Sequence, residues 1–128
     1  MSEAKGWFIG WLLAAPDRER LLAIFGQRYE RLDADHVTLA ADASDKASAP
    51  SPVAAQVVGE ADDGDGLQAL VVSIDGATDR PDGGTYHISW SLSPGREPVE
   101  SNQVIAELGW RATPPIAIDL RPVKRPMP

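Results

Sequence analysis

The sequence predicts an α+β fold in a single domain, with about six mostly antiparallel strands and two helices. Three observations point there. Two stretches, Asp35–Leu39 and Tyr86–Leu92, alternate polar and apolar residues with the period of a half-buried strand. Two others carry a helical apolar stripe between capping signals. Eleven glycines and eleven prolines in 128 residues supply more turns than a helical bundle uses. That length suits one domain with enough core to fold alone.

In chain order, residues 6–15 read as the first strand, ended by Pro16. Asp17 is a plausible N-cap for a helix to about Arg28, with Leu21, Leu22, Ile24 and Phe25 as its apolar stripe. Tyr29–Ala34 then leads into a strand over Asp35–Ala41, a strand–helix–strand unit compatible with a crossover onto one sheet. Asp42–Pro52, rich in Ala, Ser, Asp and Pro, reads as a solvated connector. Gln56–Glu60 and Leu67–Ile74 read as strands joined by the turn Ala61–Gly66. The acids of that turn lack the closing glutamate of a twelve-residue calcium loop, so a plain hairpin is expected. Pro81-Asp82-Gly83-Gly84 is a strong turn signal. It implies that Leu67–Ile74 pairs antiparallel with Thr85–Leu92. A second helix runs from Val99 or Ser101 to Leu108, capped by Ser101 or Asn102 and ended by Gly109. Val104, Ile105 and Leu108 are its expected core face. Ile116–Leu120 is the last strand, and the tail 121–128 reads as an edge extension or a disordered segment, as do residues 1–5 as a flexible lead.

Composition excludes several classes. There is no cysteine, hence no disulfide framework and no thiolate metal site. A net charge of −7 argues against a broad basic surface tracking a nucleic-acid backbone, so no extended duplex is an expected partner. No segment is long enough to span a membrane. Gly6–Ala15 is an apolar run loosely like a signal-peptide core, but Glu3 beside Lys5 makes a poor positive flank. It reads instead as a buried strand, and the protein as cytoplasmic and monomeric.

The two periodic strands carry the chemistry. His36 and His87 are the only histidines, and each is followed two positions later by a hydroxyl, Thr38 and Ser89. Period-two geometry puts each imidazole and its hydroxyl on one face, with Val37 and Leu39, or Ile88, Trp90 and Leu92, on the other. Ser and Thr make up roughly a tenth of the chain, so chance gives both pairs at about one in a hundred. Two facing imidazoles can divide a proton transfer, one neutral and accepting, one charged and donating. The hydroxyls beside them can hold the non-bridging oxygens of a phosphate. The two spacings match no common metal-ligand pattern.

His36-Val37-Thr38-Leu39 and His87-Ile88-Ser89-Trp90 resemble the paired His-x-Thr/Ser motifs of the two-histidine (2H) phosphoesterase superfamily, which includes RNA 2′,3′-cyclic phosphodiesterases. The resemblance implies a bilobed concave sheet with the helices outside, each lobe supplying one motif to a central cleft. It also implies metal- and cofactor-independent hydrolysis of a cyclic phosphate, most simply the ribose 2′,3′-cyclic phosphate of a nucleotide or RNA end. His36, Thr38, His87 and Ser89 would be the catalytic set, with either histidine as base. Arg96, Ser91 and Trp7 are second-tier candidates for substrate contact. Tyr86 and Trp90 fall on the core side. One departure is that many members place a helix just before the second motif, whereas here a Gly-rich turn precedes it. The alternatives are a nucleotide- or phosphate-binding module with the same cleft, a 2′–5′ phosphodiesterase, or a hydrolase of a cyclic-nucleotide signal.

Overall fold

The computed structural model describes residues 6–126 as an α+β chain with two helices and two antiparallel sheets. The elements are β1 (Trp7–Leu13), α1 (Ala15–Phe25), β2 (Arg31–Leu32), β3 (His36–Ala43), β4 (Ala55–Asp62) and β5 (Leu67–Ile74). There follow β6 (His87–Leu92), α2 (Glu100–Leu108), β7 (Arg111–Ile118) and β8 (Leu120–Pro126). One sheet has three strands in the order β3-β1-β8, the other five in the order β2-β6-β5-β4-β7. The expected count of about six strands rises to eight among the described residues, and the histidine strands lie in different sheets. The pairing of β5 with β6 is antiparallel, as the turn before His87 implied. β1 and β3 share a sheet but run antiparallel, so the helix between them is not a parallel crossover. None of the described helices is long and apolar enough to cross a membrane.

One short segment joins the sheets. Asp33 and Ala34 donate their amides to Trp90 and Ser89 carbonyls on β6, and Asp35 then accepts from Leu13 on β1. The chain thus leaves one sheet and enters the other within three residues. Ala34 makes the step in the left-handed region, φ 47°, fully buried, with Arg18 Nε donating to its carbonyl at 2.8 Å. An alanine there stores about 1–3 kcal/mol of strain. Burial of both sheets against α1 holds it: Trp11, Leu21, Val37, Val57, Leu70, Ile88 and Trp90 make the larger core. A second core, beneath α2, contains Leu67, Val71, Leu92, Val104 and Ile105.

Leu92 was expected to share a core with Ile88 and Trp90, and Ser91 to face the same way as His87. A register shift between β5 and β6 overturns both. Ala69 pairs with Ser89 but the adjoining Gln68 pairs with Ser91, so β6 carries one extra residue. Each slip of one residue sends the following side chains to the opposite face. Ser91 is fully buried, accepting from the Tyr29 amide at 3.2 Å and donating to Gln68 at 2.6 Å.

The helix ends also differ from expectation. α1 begins at Ala15 with Ala14 as its uncapped N-cap, and Asp17 sits within its first turn, accepting from Arg20 and the Asp119 amide. Pro16 starts the helix instead of ending the strand, since the first turn needs no amide donor there. Ile24 is 54 % and Leu108 66 % exposed, so neither belongs to a core face. Neither Ser101 nor Asn102 caps α2, whose N-cap is Val99. Gly109, φ 74°, does end it. The expected strand Ile116–Leu120 is divided between two: β7 ends at Ile118 after passing through Pro114-Pro115, tolerated because it is an edge strand, and β8 begins at Leu120. Residues 121–126 are no loose tail; they belong to β8, paired with β1 along seven positions. Residues 1–5 lie outside the described residues.

Gly10 on β1 lets β3 come close. A methyl there would meet the Val37 carbonyl oxygen at 2.2 Å and Thr38 Cα at 3.1 Å. Gly10→Ala is therefore expected to push β3 away and cost about 2–3 kcal/mol, read by urea denaturation. A loss under about 0.5 kcal/mol would show that the approach is not constrained.

Candidate active site

β3 is one edge of the three-stranded sheet, and β2 covers only the Ser91–Leu92 end of β6. The His87 end of β6 is thus left open toward β3, and the two strands come within 8 Å, Cα to Cα. Between them lies a cavity of about 250 Å³ open to solvent. His36, Thr38, His87 and Ser89 all line it. So do Arg80 and Asp82 from the turn before β6, Phe8 and Ala41 on one flank, and Pro98, Val99 and Asn102 on the other. The two His-x-hydroxyl pairs, far apart in the chain, meet in one cleft.

The two rings are anchored in different ways. His87 is buried, and its Nδ1 lies 2.8 Å from the Thr85 carbonyl oxygen. A carbonyl only accepts, so Nδ1 carries the hydrogen and Nε2 keeps its lone pair. Burial pulls the His87 pKa below the imidazole norm; the carbonyl bond opposes this, and the charges of Arg80 and His36 add to it. His36 is 28 % exposed and sits edge-on to Phe8, ring centroids 4.7 Å apart. Its Nδ1 is 3.0 Å from Asp35 Oδ2, so here the anchor is a carboxylate. Burial raises the Asp35 pKa, but hydrogen bonds and charge from His36 and Arg125 outweigh it and hold the group ionised.

The hydroxyls are held unequally. Ser89 Oγ donates to the Pro98 carbonyl at 3.0 Å and lies 2.8 Å from Ser101 Oγ, which is fully buried on α2. With Ser101 donating to Ser89, the Ser89 hydrogen can turn between Pro98 and a ligand in the cleft. Ser101, expected as a cap, instead ties α2 to the second motif.

Three residues expected near the cleft lie elsewhere. Arg96 pairs with Asp63 and Glu100, both at 2.8 Å, beside a different surface hollow. Ser91 is on the far side of the bulge, and the Trp7 ring lies 4.8 Å beneath Lys124 Nζ. The arginine that does reach the cleft is Arg80, only 10 % exposed and clamped by Asp82 at 2.9 Å and Asn102 at 3.0 Å. Its signal was its place directly before Pro81-Asp82-Gly83-Gly84, whose reversal closes with Arg80 and Gly84 bonded backbone to backbone. The acids of the Ala61–Gly66 turn accept backbone amides: Gly64 on Asp62, Asp65 and Leu67 on Asp63.

Comparison with protein-family models, curated proteins and solved structures finds no match to this chain.

Proposed function

We propose that this chain is a metal-independent phosphodiesterase of the two-histidine kind, opening a cyclic phosphate such as the ribose 2′,3′-cyclic phosphate of a nucleotide or RNA end. The two sheets would be the two lobes of that architecture. The observation that carries the reading is the convergence of both His-x-hydroxyl pairs and a clamped arginine on one open cavity.

In this mechanism His87 Nε2 takes a proton from water, whose oxygen attacks phosphorus in line with the ribose oxygen that will leave. A P–O bond to water forms as the P–O bond to that ribose oxygen breaks, and His36 Nε2 gives the departing oxygen its proton. The roles follow from the anchors. A buried ring on a neutral carbonyl, beside Arg80, suits the unprotonated base, which leaves the acid's role to the ring held at Nδ1 by the Asp35 carboxylate. Arg80, Thr38 and Ser89 meet the equatorial oxygens, where charge accumulates. Phe8, Pro98 and Val99 offer apolar surface to the rest of the substrate.

The test is incubation with nucleoside 2′,3′-cyclic phosphates in EDTA, with product analysis for 2′- against 3′-phosphate. Turnover to a phosphomonoester is expected; binding without turnover would favour the binding module instead. Arg80→Gln is expected to lower kcat/KM by about tenfold to a hundredfold. It should also raise the pH midpoint of the acidic limb, because a positive charge beside His87 is gone. An unchanged rate and midpoint would remove Arg80 from the mechanism.

A further inference from the structure

We infer that Arg125, on the last strand, is a positioning residue for His36, acting through Asp35 and Phe8. This rests on the catalytic reading of the cleft and adds to it a residue that does not touch substrate.

The pairing of β1 with β8 sets Arg125 directly across from Phe8. From there Arg125 closes a ring of four side chains. Its Nη2 is 3.1 Å from Asp35 Oδ2, the same oxygen that accepts His36 Nδ1 at 3.0 Å. Its guanidinium carbon lies 5.3 Å from the Phe8 ring centroid, and Phe8 in turn packs edge-on to the His36 ring. The imidazole is thus held in two ways, at Nδ1 by the carboxylate and by its T-shaped contact with the Phe8 ring, and Arg125 backs both.

The arrangement answers a physical weakness of the site. β3 is an edge strand, and the Asp35 side chain is 42 % exposed. A carboxylate so placed exchanges readily between a ring nitrogen and water, and His36 would then sample both tautomers and several rotamers. A guanidinium hydrogen bond to the same oxygen makes that rotation costly. Other titratable or charged groups face His36 as well: Asp33 beside Asp35 on the entering segment, His87 from β6, and Arg80 with Asp82 from the turn before it. Of these only Asp35 bonds Nδ1, so Arg125 acts on orientation and tautomer through that one carboxylate.

The experiment is a long-range ¹H–¹⁵N spectrum of the two imidazoles in the full chain, wild type against Arg125→Gln, with kinetics on uridine 2′,3′-cyclic phosphate. In the wild type, neutral His36 is expected as the Nδ1–H tautomer. In Arg125→Gln it should become a mixture with the Nε2–H form while the His87 signals stay in place. The kcat should fall by about tenfold with KM held within about twofold. Arg125→Met keeps an aliphatic cover over Phe8 and carries the same expectations if the glutamine variant does not fold. An unchanged His36 tautomer overturns the inference, as does a raised KM at constant kcat, which would make Arg125 a substrate contact. A wild type without turnover removes the catalytic reading, and the tautomer comparison still decides the role of Arg125.

Discussion

Replacing His87 by alanine is expected to lower kcat/KM for a nucleoside 2′,3′-cyclic phosphate by about 10³-fold, within the range contributed by a positioned general base. His36→Ala should fall to a similar floor, because base and acid serve one displacement and neither accelerates much alone. The double variant is then expected to be no more than about tenfold worse than either single one. Circular dichroism should be unchanged for His36→Ala, whose ring is partly exposed. The pH profile carries the sign. His87 must be neutral to act, and its pKa lies below the usual 6.5 because burial and the Arg80 and His36 charges outweigh the Thr85 carbonyl. Activity should therefore hold as pH falls through 6.5 and drop only at a lower midpoint. Stability moves the same way: the unfolded chain binds a proton at His87 more readily than the folded one, so stability declines as pH falls below 6.5 toward the folded value. A single variant that retains a tenth of wild-type activity would refute the division of labour between the rings.

Trp90→Ala is expected to destabilise the protein by about 3–5 kcal/mol, a large share of the roughly 5–15 kcal/mol that holds a domain. Trp90 is fully buried on β6, on the face opposite His87 and Ser89, within the core shared by both sheets and α1. Its Nε1 donates at 2.9 Å to the carbonyl of Gly26, the residue that ends α1. Alanine leaves a cavity and strips that carbonyl of its partner. Trp90→Phe separates the two effects, since it keeps most of the volume and should cost about 1–3 kcal/mol, mainly through the orphaned carbonyl. Urea melts of the three proteins measure both. A Trp90→Ala loss below about 1 kcal/mol would mean that the core between the sheets does not hold β6 in place.

The parts of the site that could be read in advance were those governed by local periodicity. His36 with Thr38, and His87 with Ser89, needed only strand alternation to be placed side by side, and the turn Pro81–Gly84 was enough to pair β5 with β6. Where contact partners are distant in the chain, local spacing does not decide the outcome. Ser91 obeys alternation until the extra residue opposite Gln68 turns it away, and nothing local to Ser91 announces that mismatch. Arg96 and Arg80 are equivalent as arginines near a turn. The acids Asp63 and Glu100 claim the first, whereas Asp82 and Asn102 hold the second in the cleft. Pro114-Pro115 argues against a strand unless the strand is an edge, and edges exist only once a sheet is assembled. Arg125 could be a loose tail or part of a strand until β1 is known to accept β8.

From its residues alone, this chain determines which imidazoles and hydroxyls travel together, because side chains two apart on an extended backbone must share a face. Only the tertiary structure decides that the two pairs meet, and which charges meet with them. That choice belongs to the left-handed step at Ala34, which passes the chain from one sheet to the other, and to burial of Trp90 and Val37 in a single core. Such packing is summed over contacts between remote segments and leaves no mark on the spacing of neighbours.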